Sequence, residues 1–307
     1  MLGNTKISYL SRLYHPTTGC SFGCPTCWAR PLVRNRLAGV MRGLPVGPAV
    51  GTDATYAFDP AFHPDRLADP LRARRPQVIG VSFLGDWCDP GITRAQRFQI
   101  LDVAEKNEQR TEPHTLIFAT KQAEEMRCTL TEWRHCSAGF LLNHCWFGVS
   151  VSDAGDSWRV LELQQAPAAH RWVSYEPATG PWSLPLAGGA YNRPQIDLVI
   201  VGGESGPGAR PMHPDWARSV RDQCAEADVG FYFKQFGEWL PDDQFDGEPF
   251  EFRHGHPGAP FWALNAPVCN VSPGLHACRV GTKAAGHRLD GAKHTDLPWS
   301  HLLEGGQ

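Results

Sequence analysis

The chain has 307 residues, of which 42% are hydrophobic and 20% are charged, and its formal net charge is −3. This composition is typical of a globular protein and excludes an intrinsically disordered chain, a coiled coil and a collagen-like fibre. No apolar run reaches the length of a membrane-spanning helix, and the first residues lack the pattern of a signal peptide. The sequence therefore predicts a cytoplasmic protein without membrane contact.

Positive charge is concentrated in the N-terminal quarter of the chain. Residues 1–80 contain ten Lys and Arg against four Asp, a balance of +6. A basic surface attracts phosphate groups, so a nucleotide or nucleic-acid partner is one interpretation of this segment, and solvated helix faces are the other.

Short apolar runs alternate with helix-like segments as far as Gln235. The predicted strands cover residues 7–14, 77–83, 114–120, 146–151, 171–175, 197–201 and 230–234. The predicted helices cover residues 95–109, 122–133, 157–165 and 214–227. Continuous rather than alternating apolar strands are typical of parallel strands that are covered on both faces. The sequence therefore predicts an α/β fold with a TIM-like (β/α) barrel, complete or partial, over residues 1–239.

Two regions depart from this alternation. Residues 42–62 are irregular and predict a long insertion after the first helix. Residues 240–307 are rich in Gly, Pro, Asp and His, and they predict a loop-rich C-terminal cap packed on the barrel. In the barrel itself, polar residues follow the strands, at the C-terminal mouth where barrel active sites form.

The most specific feature is the motif CxxxCxxC formed by Cys20, Cys24 and Cys27. In a reducing compartment, three closely spaced thiols predict a metal site rather than disulfides. Three thiolates leave one iron of a [4Fe-4S] cluster open for a cofactor or substrate. Zinc, with His15 as a fourth ligand, and buried thiols without a metal are the alternatives.

A CxxxCxxC motif just after the first strand of a barrel resembles the radical SAM superfamily. From about residue 14 to 298 the chain resembles, more specifically, the phage Gp37/Gp68 family, also called DUF5131. The stretches that carry the resemblance are HPTTGC at 15–20, CWA at 27–29, HPDRL at 63–67, GD at 85–86, GVSV at 148–151, EP at 176–177, VIVGGESGP at 199–207, RPMHP at 210–214, FKQFGEW at 233–239 and KAAGHRLDG at 283–291.

Two positions and one spacing depart from these patterns. Thr26 stands where many radical SAM proteins have an aromatic residue, and Trp28 stands where the family usually has Tyr. The three-residue gap between Cys20 and Cys24 is that of the superfamily rather than the longer gap common in the family, which strengthens the cluster assignment.

The resemblance implies that the three cysteines hold a [4Fe-4S] cluster which reductively cleaves S-adenosylmethionine (SAM) to a 5'-deoxyadenosyl radical, and that this radical abstracts hydrogen from a substrate. The family's phage associations imply a phage-encoded enzyme that acts in the host cytoplasm and hypermodifies a nucleobase or nucleotide in DNA. Modification of a peptide or partner protein is the rival substrate class. A separate electron donor would reduce the cluster.

The implied cofactor-binding residues follow the strands, and they are Gly85, Asp86, Ser150, Ser152, Glu176, Gly202, Gly203 and Glu204. By resemblance, Gly85 and Asp86 would bind the SAM amino group, and the serines would contact its ribose or carboxylate. The Gly-rich turn at 202–206 permits close backbone approach to SAM or substrate. Helix capping, ordinary loop hydrogen bonds and a plain tight turn are the structural alternatives for these residues.

Three further residues are candidates for catalysis. Lys121 and Lys234 would bind a substrate carboxylate or phosphate, or transfer a proton, although a lone Lys is more often a surface residue. Cys88, near the same mouth, would donate a hydrogen atom to a product radical.

Two other functions compete with the radical enzyme. A non-catalytic Fe-S or zinc protein would bind nucleic acid or a protein partner without cleaving SAM. A hydrolase would use Glu176 and Glu204 as a carboxylate pair on neighbouring strands.

Overall fold

A computed structural model describes residues 2–32, 58–137, 139–185, 196–244 and 267–304. The chain forms two compact units. One consists of Met1–Ser150, Arg159–Trp172 and Pro298–Gln307, and the other of Val151–Trp158 and Val173–Leu297. The predicted insertion at 42–62 lies outside the described residues as far as residue 57.

Strands and helices alternate as the sequence predicts. The strands of the described residues are β1 (Arg12–Tyr14), β2 (Thr17–Thr18), β3 (Ala61–Phe62), β4 (Val78–Val81), β5 (Thr115–Thr120), β6 (Cys145–Val151), β7 (His170–Tyr175), β8 (Leu198–Gly202), β9 (Gly230–Gln235), β10 (Trp239–Pro241), β11 (Val268–Ser272) and β12 (Leu275–Arg279). Their α-helices are α1 (Ala29–Leu32), α2 (Asp69–Arg72), α3 (Arg94–Glu108), α4 (Ala123–Cys136), α5 (Ser157–Gln165), α6 (Pro214–Glu226), α7 (Thr282–Ala285) and α8 (Ser300–Glu304).

Seven strands form one sheet in the order β1-β4-β5-β6-β7-β8-β9. The pairs β1/β4, β4/β5, β5/β6 and β8/β9 are parallel. From β4 onward each strand lies next to its successor in the chain, which is the order of a (β/α) barrel wall and not of a doubly wound sheet. The α/β class is therefore confirmed. Among the described strands β1 and β9 are the edges of the sheet, so a complete barrel is not confirmed.

In the first unit, burial explains the central strands. All four residues of β4 are buried, and so are five of the six residues of β5. Helix α3 begins at a capping box, in which Thr93 and Gln96 each bind the other's backbone N–H. The first strand is shorter than the predicted 7–14, because a turn closed by the hydrogen bond from the Leu10 N–H to the Ile7 carbonyl precedes it.

In the second unit, β8 is buried along its whole length, and α6 begins at Pro214 after the capping side chain of His213. Strands β10, β12 and β11 form an antiparallel sheet in that order. The region expected to be a loop-rich cap thus contains more regular structure than the sequence suggests. No helix in the described ranges is long and apolar enough to cross a membrane.

Candidate functional site

The cysteine loop, defined as residues 19–27, begins beside the carboxyl end of β4. The Gly19 N–H donates to the Leu84 carbonyl at 3.0 Å, and the Asp86 N–H donates to the Gly19 carbonyl at 3.1 Å. A Cβ on Gly85 would lie 2.4 Å from the Gly19 carbonyl oxygen, so this contact requires glycine. The loop is therefore fixed at the carboxyl edge of parallel strands, where active sites of α/β proteins lie.

All three thiols of the loop are free and half-buried. The Phe22 N–H donates to Cys20 Sγ and the Arg30 N–H donates to Cys27 Sγ, each at 3.4 Å. Backbone N–H groups directed at sulfur favour the thiolate form that binds metal. Two of the three predicted metal-binding sulfurs thus have a backbone hydrogen-bond donor, one from the loop itself and one from the following helix α1.

The Cys20 thiol is in a less polar environment than an exposed cysteine. With Cys27 and Leu84 it packs against a small core formed by Ala29 and Phe58. Burial raises the pKa of Cys20 to about 12, the Phe22 N–H opposes the rise, and two nearby carboxylates add to it. Binding of a metal cation here would release the proton, because the thiolate is the metal-binding form.

The three cysteines are the candidate ligands of an iron–sulfur cluster. No group of three or more His, Cys, Asp or Glu side chains in the described part of the chain converges on one point. In a cubane each cysteine binds a different iron, so the sulfurs need not converge on one point. Three cysteines on one loop, with N–H donors to two of them, are compatible with that arrangement.

Asp86 is buried and joins the ends of β4 and β5. Its carboxylate accepts hydrogen bonds from the Cys88 N–H at 2.9 Å, the Thr120 hydroxyl at 2.6 Å and the Lys121 N–H at 2.9 Å. Burial raises the pKa of Asp86, and these hydrogen bonds act against the rise. Because three donors already occupy the carboxylate, its contact with a SAM amino group stays a prediction.

Cys88 is fully buried beside Asp86. Burial raises the pKa of its thiol well above the usual value, and the Asp86 charge adds to the effect. The side chain therefore keeps its S–H hydrogen, which is the form that a hydrogen-atom donor needs. Its role as such a donor stays a prediction.

Phe22 brings two cations to the cysteine loop. Lys121 Nζ lies 5.6 Å from the centre of the Phe22 ring, and Arg159 Cζ lies 5.2 Å from it. Arg159 also donates to the Ser150 carbonyl at 2.9 Å. Two predicted residues, Lys121 and Ser150, are thereby connected to the loop through cation–π contacts on Phe22.

In the second unit, Glu176 and Lys234 form an ion pair at the ends of β7 and β9. Lys234 Nζ lies 2.8 Å from Glu176 Oε1, and the two side chains are 25% and 13% exposed. A Cβ on Gly202 would lie 2.5 Å from the same oxygen. The structure thus brings together three predicted residues in a partly buried polar contact.

Glu204 forms an ion pair with Arg210. It is buried, and its carboxylate accepts hydrogen bonds from the Arg210 backbone N–H at 2.8 Å and from the guanidinium at 2.9 and 3.1 Å. A Cβ on Gly203 would lie 1.9 Å from the Phe236 carbonyl oxygen, so this glycine permits close contact within the protein. Because Glu176 and Glu204 are each paired with their own cation, the geometry does not favour a hydrolytic carboxylate pair.

Ser152 binds its surroundings through the backbone. Its N–H donates to Asp156 Oδ2 at 2.8 Å, and its carbonyl accepts from the Thr179 N–H at 2.9 Å. This carbonyl contact fixes the segment that follows Glu176, and a contact of the Ser152 side chain with ribose or carboxylate stays a prediction.

Sequence reasoning missed several residues that hold the cysteine loop and the Glu204 carboxylate in place. The missed residues are Ser21, Phe22, Asp89, Arg159 and Arg210. Two of these residues had a local signal: Asp89 follows Asp86 by three residues, and Arg210 follows Glu204 by six. Ser21, Phe22 and Arg159 make contacts with residues that only the fold brings near.

Comparison with protein families places the chain. A family model described as a protein of unknown function (DUF5131) matches residues 4–298. Comparison with curated proteins and with solved structures found no match. Because the family model covers nearly the whole sequence, this chain belongs to the DUF5131 family.

Proposed function

We propose that this protein is a radical SAM enzyme that uses a [4Fe-4S] cluster bound by Cys20, Cys24 and Cys27. The observation that carries the proposal is the position of the cysteine loop, which is fixed against β4 at the carboxyl edge of the parallel strands. Backbone N–H groups of Phe22 and Arg30 donate to two of the three sulfurs. When bound, the cluster would supply the electron that cleaves SAM to a 5'-deoxyadenosyl radical able to abstract hydrogen from a substrate.

In this scheme the residues of the chain would bind the cluster and position the groups around it. The three cysteines would bind three irons and leave the fourth iron accessible to SAM. Asp86 would position the cation of Lys121 beside the loop through the Lys121 backbone, and Cys88 would keep a hydrogen available at sulfur. Within the second unit, Lys234, which is paired with Glu176, is a separate candidate for binding an anionic group.

A nucleobase or nucleotide is the substrate class that we propose. The +6 charge balance of residues 1–80 supports it, since a basic surface attracts phosphate. Lys121 and Arg159, which lie near the cysteine loop, add positive charge that would also attract phosphate.

The test is anaerobic reconstitution of the full chain with iron and sulfide. We expect about four irons per chain, an electron paramagnetic resonance signal after reduction, and dithionite-driven formation of 5'-deoxyadenosine from SAM. Cys24→Ala should abolish all three. Cys136→Ala is the matched control and should change none of them, because Cys136 is an exposed thiol on α4.

Two results would contradict the proposal. A cluster that leaves SAM intact, even with nucleotides or nucleic acid added, would indicate a binding protein instead of an enzyme. Zinc in place of iron would overturn the cluster assignment.

A further inference from the structure

A fully buried carboxylate holds the spacer between the first two cysteines. Asp89 has no exposed surface, and its Oδ2 accepts hydrogen bonds from the Ser21 N–H at 2.7 Å and from the Ser21 hydroxyl at 2.9 Å. Its Oδ1 accepts from the Gly91 N–H at 2.9 Å. Both oxygens are therefore engaged, and two of the three donors belong to the residue that directly follows Cys20.

The segment that carries Asp89 is itself held in place by hydrogen bonds. The Asp89 N–H donates to the Asp86 carbonyl at 3.3 Å, and the Ile92 N–H donates to the Asp89 carbonyl at 2.8 Å. Asp86 is in turn bound to Thr120 at the end of β5. The segment that carries Asp89 thus follows β4 and is bound to the end of β5 through Asp86. The hydrogen bonds from Ser21 to Asp89 therefore fix the cysteine loop relative to the sheet.

Burial of a carboxylate is costly unless hydrogen bonds compensate it. Two of the compensating donors here come from Ser21, which the chain otherwise presents at an exposed position of the loop. The negative charge of Asp89 also acts on the Cys20 thiol, whose pKa it helps to raise. Asp89 is thus placed to affect both the position and the electrostatics of the first cysteine.

We propose that Asp89 is the positioning residue of the cysteine loop. Its carboxylate holds Ser21, and through Ser21 it holds Cys20 in the geometry that retains the cluster. Its negative charge lowers the reduction potential of the bound cluster, because reduction adds a further negative charge nearby. The inference rests on the proposed function, but the hydrogen bonds to Ser21 can be tested on protein prepared without iron.

Two variants separate the hydrogen bonds from the charge. Asp89→Asn removes the charge and one acceptor oxygen, so the side chain cannot accept from both Ser21 and Gly91. Ser21→Ala removes the hydroxyl bond and keeps the charge and the backbone bond. Glu124→Gln is the control, because it removes a carboxylate from an exposed position of α4.

Three measurements on the full chain test the inference. They are the hydrogen-exchange rate of the Ser21 amide without iron, the loss of iron from the reconstituted protein to a chelator, and the midpoint potential of the cluster. We expect Asp89→Asn to speed exchange, to weaken iron retention about 10- to 100-fold and to shift the potential in the positive direction. Ser21→Ala should weaken retention less and leave the potential nearly unchanged, and Glu124→Gln should match the wild type.

The outcomes distinguish this inference from the proposed function. If the wild type binds no iron, the proposed function fails, and faster Ser21 exchange in Asp89→Asn still supports the anchoring role. Unchanged exchange in Asp89→Asn overturns the anchoring role whether or not iron binds. An unchanged potential in a loaded and folded Asp89→Asn protein overturns the electrostatic part.

Discussion

Gly19 and Gly23 both have positive φ angles, of 79° and 74°, on either side of Cys20. A Cβ on Gly19 would lie 2.0 Å from the Asp59 carbonyl oxygen, whereas the nearest atom to a Cβ on Gly23 would be 3.9 Å away. Gly19→Ala should therefore cost about 3 kcal/mol or more, combining backbone strain with overpacking. Gly23→Ala should cost about 1–2 kcal/mol, from the strain alone. Urea unfolding of both variants checks this, and equal losses would contradict the crowding at Gly19.

The Glu176–Lys234 pair allows a second comparison at the scale of single residues. Another pair, Arg94 and Glu132, has the same 2.8 Å separation, but its side chains are 68% and 48% exposed. A double-mutant cycle with Glu176→Gln and Lys234→Met should give a coupling energy of about 1–3 kcal/mol. The cycle for the exposed pair should give at most about 1 kcal/mol, since water screens it. Similar coupling energies in both cycles would show that burial does not strengthen the Glu176–Lys234 contact.

Among single residues, the sequence reveals those whose spacing itself carries the chemistry. Cys20, Cys24 and Cys27 are recognisable because three thiols within eight residues are rarely incidental. Asp89 is not recognisable in this way, because its partner Ser21 lies 68 positions away in the chain. Residues that support a site through long-range contacts become visible only once the fold brings them together.

At the scale of elements, periodicity predicted the parallel strands and their helices well. Helix α5 has the predicted bounds, and α3 differs from the predicted 95–109 by one residue at each end. Continuous apolar runs and capping residues are local signals that determine these elements. The antiparallel sheet of β10, β11 and β12 escaped prediction because residues of β11 and β12 are mostly half-exposed and carry no continuous apolar run.

The small β2/β3 ladder contains a pH-sensitive contact. His63 directly follows β3, is 1% exposed, and lies 2.8 Å through Nε2 from the Thr18 hydroxyl of β2. Burial lowers the pKa of His63 to about 4, the Arg66 charge adds to this effect, and Asp65 opposes it. Between about pH 6.5 and 4 the unfolded chain therefore binds a proton that the folded chain excludes, so stability falls as the pH decreases through this range.

The histidine contribution predicts how stability depends on pH. At about pH 5 the loss from His63 should be about 2 kcal/mol relative to neutral pH. His63→Gln, which preserves a polar group near Thr18 but does not titrate, should lose less stability on acidification. Urea midpoints at several pH values check this, with His287→Gln at an exposed position as the control. If His63→Gln and the control show the same pH dependence, His63 does not control it. Part of the dependence should persist in either case, because burial also lowers the pKa of His15 to about 4.

At the scale of the whole molecule, the two ends of the chain belong to the same unit. Trp299 is 1% exposed, and its Nε1–H donates to the Tyr9 carbonyl at 3.0 Å, across 290 positions of sequence. Its ring meets the Trp146 ring edge-on at 4.9 Å. The described residues from Pro298 to Glu304 thus belong to the unit that contains the cysteine loop, although the described residues before them in the C-terminal third belong to the other unit.

This closure predicts that the stability of the cysteine-loop unit depends on a residue at the far end of the chain. Trp299→Ala should lower the free energy of unfolding by about 3–5 kcal/mol, because it removes a buried ring and leaves a cavity. Trp299→Phe should cost less, since it keeps most of the ring and loses the hydrogen bond to Tyr9. Trp158→Ala, at a side chain that is 47% exposed, is the matched control and should change stability by at most about 1 kcal/mol. Urea unfolding measures the change in the free energy of unfolding, and the hydrogen-exchange rates of β1 and β4 amides show whether this unit is affected. A Trp299→Ala protein as stable as the control would mean that the C-terminal segment packs on the unit without stabilising it.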